Sequence, residues 1–77
     1  MKRELLIKKR KQKKLTQQDM ADAIEVSRTT YTGYENGTFN PPLDKAIKIK
    51  QVLKYLKDDI FLLSNVSTND KARDNQD

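Results

Sequence analysis

The side chains that could carry covalent or metal chemistry in this sequence are few. The 77 residues include no cysteine and no histidine, which excludes a thiolate or imidazole nucleophile, a disulfide and a Cys/His zinc site. The hydroxyls of Ser27, Thr29 and Thr30 therefore lack the usual activating base. The neighbouring carboxylates of Asp58 and Asp59 are better explained by a helix N-terminus, where the dipole favours negative charge, than by a metal or an acid–base pair. We therefore expect no catalytic site, no metal site and no cofactor.

The charge of the chain favours a polyanionic partner. The 16 lysine and arginine residues outnumber the 11 aspartate and glutamate residues, so the formal net charge is +5. Eight of the 16 basic residues lie within residues 2–14, whereas the segment after Asn65 has two basic and three acidic residues. The positive field is thus expected on the folded part of the chain.

The length is sufficient for one small domain, which would bury roughly 60% of its unfolded surface. We expect residues 1–64 to form this domain and residues 65–77, where apolar residues nearly vanish, to be a disordered polar tail. The longest apolar runs are residues 5–7 and 60–63, far short of the ~20 residues that span a bilayer. These features predict a soluble, cytoplasmic protein.

The strong helix breakers lie together in the middle of the chain, at Gly33, Gly37, Pro41 and Pro42, and no segment alternates as a strand would. The sequence therefore predicts short helices only. They are expected over residues 2–12, after the N-cap Thr16, after the N-cap Ser27 up to Asn36-Gly37, over residues 43–54 and over residues 58–63.

Two of these helices are joined by a very short connection. Thr16 and Asp19 have the spacing of a capping box, and Tyr31 and Tyr34 recur at helical spacing after Ser27. Only residues 25 and 26 separate the second helix from Ser27, so the two helices must cross steeply, as in a helix-turn-helix. The fourth helix is expected to bury the following apolar residues: Leu43, Ala46, Ile47, Ile49 and Leu53.

Residues 15–37, LTQQDMADAIEVSRTTYTGYENG, resemble the helix-turn-helix of the phage repressor and Cro family, and a looser match extends over residues 2–63. In the family pattern a small residue, here Ala21, lies where the two helices touch. The apolar positions around the turn are Ile24, Val26, Tyr31 and Tyr34. The resemblance implies an all-α fold, a four- to five-helix bundle of the lambda repressor-like DNA-binding type, with the helix-turn-helix formed by helices 2 and 3.

The resemblance also implies roles for single residues. Gln17 and Asn36 occupy positions that contact DNA phosphates, and Arg10 and Glu35 occupy the positions of a structural ion pair. The departures from the pattern are Lys14 and Glu25 where glycine is common, Gly33 where a base or phosphate contact is common, and Leu56 where Ser or Thr commonly caps the last helix. Glu25 implies either a turn without positive φ or some accepted strain.

If Tyr31 and Tyr34 face inward, helical geometry turns four candidate base-contacting residues outward into the major groove: Arg28, Thr29, Thr32 and Gly33. Arg28 can donate two hydrogen bonds to guanine, whereas a threonine offers one hydrogen bond or a methyl contact to thymine. The candidate phosphate contacts are Thr16, Gln17, Ser27, Asn36, Thr38 and Asn40.

The resulting hypothesis is a sequence-specific transcriptional regulator that binds a double-stranded DNA operator, with residues 28–35 as the recognition helix. Two alternatives stay open: the antitoxin of a toxin–antitoxin pair, which also autoregulates and whose tail folds onto the toxin as its protein partner, and a protein-interaction module that has lost DNA binding. A homodimer on DNA could use the apolar residues Ile60, Phe61, Leu62 and Leu63, although closure of the core by these residues is the more common role.

Overall fold

The computed structural model describes residues 1–63, which fold into four α-helices and one short 3-10 turn, with no strand in this range. The expected all-α fold is confirmed. The expected tail lies outside the described residues, as does the end of the predicted domain. The helices are α1 (Glu4–Gln12), α2 (Gln17–Ile24), α3 (Arg28–Asn36) and α4 (Leu43–Leu53), followed by the 3-10 turn Asp58–Phe61.

Side-chain caps set the start of the two central helices. The Thr16 hydroxyl accepts from the Asp19 amide, and the Asp19 carboxylate accepts from the Thr16 amide, both at 2.9 Å, so the predicted capping box is present. The Ser27 hydroxyl accepts from the Thr30 amide at 3.1 Å. At its other end α3 stops at Gly37, whose φ of 79° is left-handed.

The connection between α2 and α3 contains backbone strain. Glu25 has a φ of 63° and Lys14, which precedes α2, has a φ of 60°. Both residues therefore adopt the left-handed conformation that glycine adopts more easily. The conformation at Glu25 allows the Val26 amide to donate to the Ala21 carbonyl at 3.0 Å, which ends α2 and turns the chain into α3. Of the two possibilities for the turn at Glu25, the one without a positive φ is therefore excluded.

The core lies where α2 packs against both α3 and α4, and where α1 packs against α3 and the 3-10 turn. Its fully or nearly fully buried apolar side chains are Leu6, Met20, Ala21, Ile24, Tyr31, Tyr34, Ile49, Leu53 and Ile60. Because Ile60 is part of this core, its predicted role in a dimer patch is wrong. Leu62 is exposed, and Phe61 and Leu63 are half-buried.

The predicted buried face of α4 was too wide. Leu43 is 77% exposed and Ile47 is 42% exposed, so the expectation that both are buried is wrong. With 3.6 residues per turn, these two residues lie roughly 80–160° around the helix from Ile49 and Leu53. Only the stripe that includes Ile49 and Leu53 is fully buried. On the side of α4 that faces α2, the Lys45 ammonium donates to the Ile24 carbonyl at the end of α2 at 2.9 Å.

The carboxylates of Asp58 and Asp59 hold the 3-10 turn in place. The Lys50 ammonium lies 2.6 Å from an Asp58 carboxylate oxygen, and the Tyr55 hydroxyl donates to Asp59 at 2.9 Å. The ammonium of Lys9 lies 4.8 Å from the centre of the Tyr55 ring, on the side of α1. The predicted fifth α-helix over residues 58–63 is therefore a single 3-10 turn that closes the core through Ile60.

The described helices are at most 11 residues long, too short to cross a bilayer.

Candidate nucleic-acid interface

An open groove of about 520 Å³ runs along α3 and is called here the α3 groove. It is lined by the start of α2, the outer face of α3 and the loop that follows α3. Seven of its eight lining residues were predicted as base or phosphate contacts, and the eighth, Phe39, was not. The lining residues are Gln17, Arg28, Thr29, Thr32, Gly33, Asn36, Thr38 and Phe39.

The orientation of α3 follows from its two tyrosines. Tyr31 and Tyr34 point into the core and meet edge to face, with ring centres 6.4 Å apart. Helical geometry therefore turns Arg28 and Thr29 to solvent, where both are exposed, while Thr32 is half-buried. Three of the four predicted base-contacting residues thus present side chains at the surface. Their contacts with bases stay a prediction.

The fourth predicted base-contacting residue, Gly33, is buried beneath Phe39. An ideal Cβ at Gly33 would lie 2.1 Å from Cδ2 of the Phe39 ring, far inside van der Waals contact. The absence of a side chain at position 33 therefore has a packing reason, since it admits the ring of a residue six positions later. Sequence patterns could not reveal this, because the loop conformation decides where Phe39 lies.

A buried network joins α1, α2 and α3 behind the α3 groove. The Arg10 guanidinium donates to the Glu35 carboxylate through Nε at 2.6 Å and Nη2 at 3.3 Å. Gln17 donates its amide NH₂ to the same carboxylate at 3.0 Å and accepts from the Thr32 hydroxyl at 3.3 Å. Glu35 is 1% exposed. The ion pair suggested by the resemblance therefore also holds two side chains of the groove, Gln17 and Thr32.

Arg3 is a second buried cation, and sequence reasoning missed it. Its guanidinium, in a residue only 4% exposed, donates to three carbonyls: Tyr34 at 2.6 Å, Phe61 at 2.8 Å and Phe39 at 3.0 Å. Burial lowers the pKa of Arg3, but a guanidinium stays protonated at neutral pH. The predicted first helix was too long at its start: α1 begins at Glu4, because Arg3 has a non-helical backbone that directs its side chain inward. Arg3 thereby ties the end of α3 to the loop after it and to the 3-10 turn.

The remaining predicted phosphate contacts lie outside the groove lining. The hydroxyls of Thr16 and Ser27 cap their helices, and Ser27 also donates to the Thr30 hydroxyl at 2.9 Å. The Asn40 side-chain oxygen accepts from Arg3 at 2.7 Å. The bond with Arg3 uses the acceptor oxygen of Asn40, and the amide NH₂ is the group suited to donate to a phosphate. All three residues are exposed, and their contacts with DNA stay predictions.

The Tyr31 hydroxyl is buried and has no hydrogen-bond partner of good geometry within residues 1–63. Burial, and after it the neighbouring Glu35 carboxylate, raises the pKa of Tyr31 above its usual value of about 10. The folded state therefore keeps the proton after the unfolded state has lost it. This linkage makes stability fall as the pH rises above about 10.

We expect Tyr31→Phe not to lower the free energy of unfolding at pH 7, because an unpaired buried hydroxyl contributes no net stabilisation. Above pH 10 the variant should lose less stability than wild type, by up to about 1.4 kcal/mol for each pH unit. Urea unfolding at pH 7, 10 and 11 measures both effects. Tyr55→Phe is the comparison, since its hydroxyl, unlike that of Tyr31, donates a hydrogen bond, to exposed Asp59. A loss of more than about 1 kcal/mol at pH 7 would show that the Tyr31 hydroxyl is paired.

Two short helices joined through a left-handed residue, with a polar groove along the second, define the class of helix-turn-helix proteins. The chain belongs to the helix-turn-helix family, whose model matches residues 6–60. It is similar to an uncharacterized HTH-type transcriptional regulator, YqaE, of Bacillus subtilis (strain 168), with 45% identity over 69 residues. The match covers 90% of this chain and 57% of the length of that relative. No solved structure matches the chain significantly.

Proposed function

We propose that this chain binds double-stranded DNA as a transcriptional regulator of the phage repressor and Cro type, with α3 in the major groove. The observation that carries the proposal is the α3 groove, where Arg28 and Thr29 are exposed beside Gln17, Asn36 and Thr38. One α-helix fits the ~12 Å width of the major groove. The net charge of +5 supports a polyanionic partner, and the relative is named as a transcriptional regulator.

Within this proposal the side chains of α3 have unequal roles. The exposed Arg28 guanidinium is suited to donate to O6 and N7 of a guanine, the most selective contact that α3 offers. The Thr32 hydroxyl already donates to Gln17, so its methyl group is the part suited to a thymine. Thr29 is exposed and retains both options. We propose that Gln17, Asn36 and Thr38 contact the phosphates on either side, joined by Thr16, Ser27 and Asn40 at the edges.

Arg28→Ala should relax the preference for one base pair at a cost of about 1–3 kcal/mol, because it removes a bidentate contact to a base edge. Gln17→Ala should instead weaken binding to all sequences by a similar factor, because a phosphate contact carries no base information. Selection of sites from a random duplex pool, followed by titration at several salt concentrations, measures both. An unchanged base preference in the Arg28 variant would refute its assignment.

Gln18→Ala is the matched control for Gln17→Ala. Gln18 is exposed on the same helix and donates to Asp22 at 2.9 Å, but it does not line the α3 groove. Its removal should leave affinity and base preference unchanged. Binding of duplex that weakens steeply with salt separates the proposal from a protein-interaction module, which would not respond to DNA.

We further propose that two copies occupy a two-fold operator, with their α3 helices about one DNA turn, ~34 Å, apart. The exposed Leu62, with the half-buried Phe61 and Leu63 beside it, is the part of the predicted apolar patch that is available for such a contact. Half-site spacing in the selected sites reports on this arrangement directly.

A further inference from the structure

Phe39 is an exposed aromatic ring within a groove whose other lining side chains are polar. The residue is 48% exposed, and it lines the same groove as Arg28, Thr29 and Thr32. An apolar ring in this position is not explained by the core, because Phe39 belongs neither to the buried cluster nor to the apolar residues packed against that cluster. Its place in the groove suggests a role in binding.

The backbone of Phe39 is anchored on both sides. Its amide donates to the Gly33 carbonyl at 3.2 Å, and its carbonyl accepts from the Arg3 guanidinium at 3.0 Å. The ring itself lies against the Cα of Gly33, in the space that a side chain at position 33 would take. The ring is therefore held in a defined position relative to α3, as a contact that reads a base requires.

The ring substitutes for a missing side chain on the outer face of α3. Gly33 lies one turn after Thr29 and next to Thr32, so a larger residue at position 33 would point into the α3 groove. Phe39 supplies apolar surface at this place from outside the helix. It has no hydrogen-bonding group, so it can only recognise an apolar feature of a base edge.

We propose that Phe39 is a specificity-determining residue that contacts the C5 methyl group of a thymine, at a base pair different from the one read by Arg28. The proposal rests on the proposed function, since it assumes that α3 lies in the major groove. The thymine methyl is the apolar group that distinguishes base edges there. Contact of the ring with backbone sugars is the competing arrangement, and it would be insensitive to that methyl group.

The test replaces each thymine of the selected site in turn with deoxyuridine, which removes only the methyl group. For wild type, the thymine that Phe39 contacts in each half-site should show a loss of affinity of roughly three- to fivefold, the ratio that burial of one methyl group gives. For Phe39→Ala the same replacement should change affinity less than 1.5-fold, which is roughly within the small free-energy effect of a typical surface substitution. Ile47→Ala, which shortens a comparably exposed apolar side chain outside the groove, should keep the full wild-type loss.

Gly33→Ala provides a second, independent variant. The added Cβ would displace the Phe39 ring, so this variant should also lose the methyl dependence. In the Phe39→Ala background, the same change should have no further effect on binding, and the melting temperature should rise because alanine favours a helix over glycine. Circular dichroism of each variant shows whether it is folded.

The outcomes distinguish failure of the proposed Phe39 contact from failure of DNA binding itself. The role of Phe39 is overturned, with DNA binding left intact, if Phe39→Ala removes the methyl dependence of no thymine in the selected site. If no site is enriched and duplex binding is absent, the proposed function fails, and the role of Phe39 fails with it. A methyl dependence that Ile47→Ala also removes would likewise overturn the assignment.

Discussion

Replacement of Glu35 with alanine should lower the free energy of unfolding by about 3–5 kcal/mol, because it leaves the Arg10 guanidinium buried without its counter-charge. Glu35 is 1% exposed and its carboxylate accepts from both Arg10 and Gln17. Removal of one member of a buried pair costs far more than the pair contributes in total, since the remaining charge has lost both water and partner. Domains of this size often have only about 5 kcal/mol of stability, so the variant should be largely unfolded at 37 °C.

Urea unfolding with and without a stabilising osmolyte measures this loss even if the variant is partly unfolded in buffer. The double variant Arg10→Met/Glu35→Leu should recover much of the stability, because apolar residues of similar volume carry no desolvation penalty. Asp22→Ala is the control, since it removes an exposed carboxylate bonded only to Gln18 among the described residues. A Glu35→Ala loss below about 1 kcal/mol would contradict a buried ion pair and indicate that water reaches Arg10.

Arg3→Ala should lower the free energy of unfolding by about 2–4 kcal/mol, because it removes the side-chain donors of three carbonyl groups and opens a space between three parts of the chain. The Tyr34 carbonyl is buried, and those of Phe39 and Phe61 are partly buried. Arg3→Lys should recover little of this loss. One ammonium at the end of a flexible chain cannot reproduce a planar fork that reaches separate acceptors.

Chemical unfolding of Arg3→Ala, Arg3→Lys and the control Lys2→Ala measures the effect. Lys2 is exposed and adjacent, so its loss should change stability by less than about 0.5 kcal/mol. Native-state hydrogen exchange adds a local readout: the amides of Thr38 and Phe39, which both donate to the Gly33 carbonyl, should exchange faster once Arg3 no longer anchors the loop. Equal stabilities of the Arg3→Ala and Lys2→Ala variants would contradict the structural role of Arg3.

Local signals predicted most of the fold. Thr16 and Ser27 are short polar residues at N-caps, Gly37 has the positive φ of a helix end, and Tyr31 and Tyr34 recur at the spacing of one buried face. Each of these features depends on a few neighbouring residues. The positions of α2 and α3, and hence the residues that they expose, were therefore accessible from the sequence.

What the sequence did not reveal depends on contacts between distant residues. Arg3 lies in a run of basic residues and has no pattern that distinguishes it from the exposed Lys2, yet its partners are 31 to 58 positions away. The ring of Phe39 reaches Gly33 through the loop conformation, and Leu43 is exposed because of how α4 is rotated against α2. Periodicity reports which residues share a face, but not how wide a face the neighbouring helix covers.

The buried network behind the α3 groove divides the residues of the groove surface into two groups. The two groups differ in how freely they can be substituted without a loss of stability. Within residues 1–63, the side chains of Arg28 and Thr29 are exposed and take no part in the hydrogen bonds that hold the helices together. Their replacement alters the surface without disturbing the fold. Gln17 is hydrogen-bonded to both Glu35 and Thr32, so substitutions at positions 17 and 32 also affect stability. A library with new base preferences is therefore best randomised at positions 28 and 29, with 17 and 32 left unchanged.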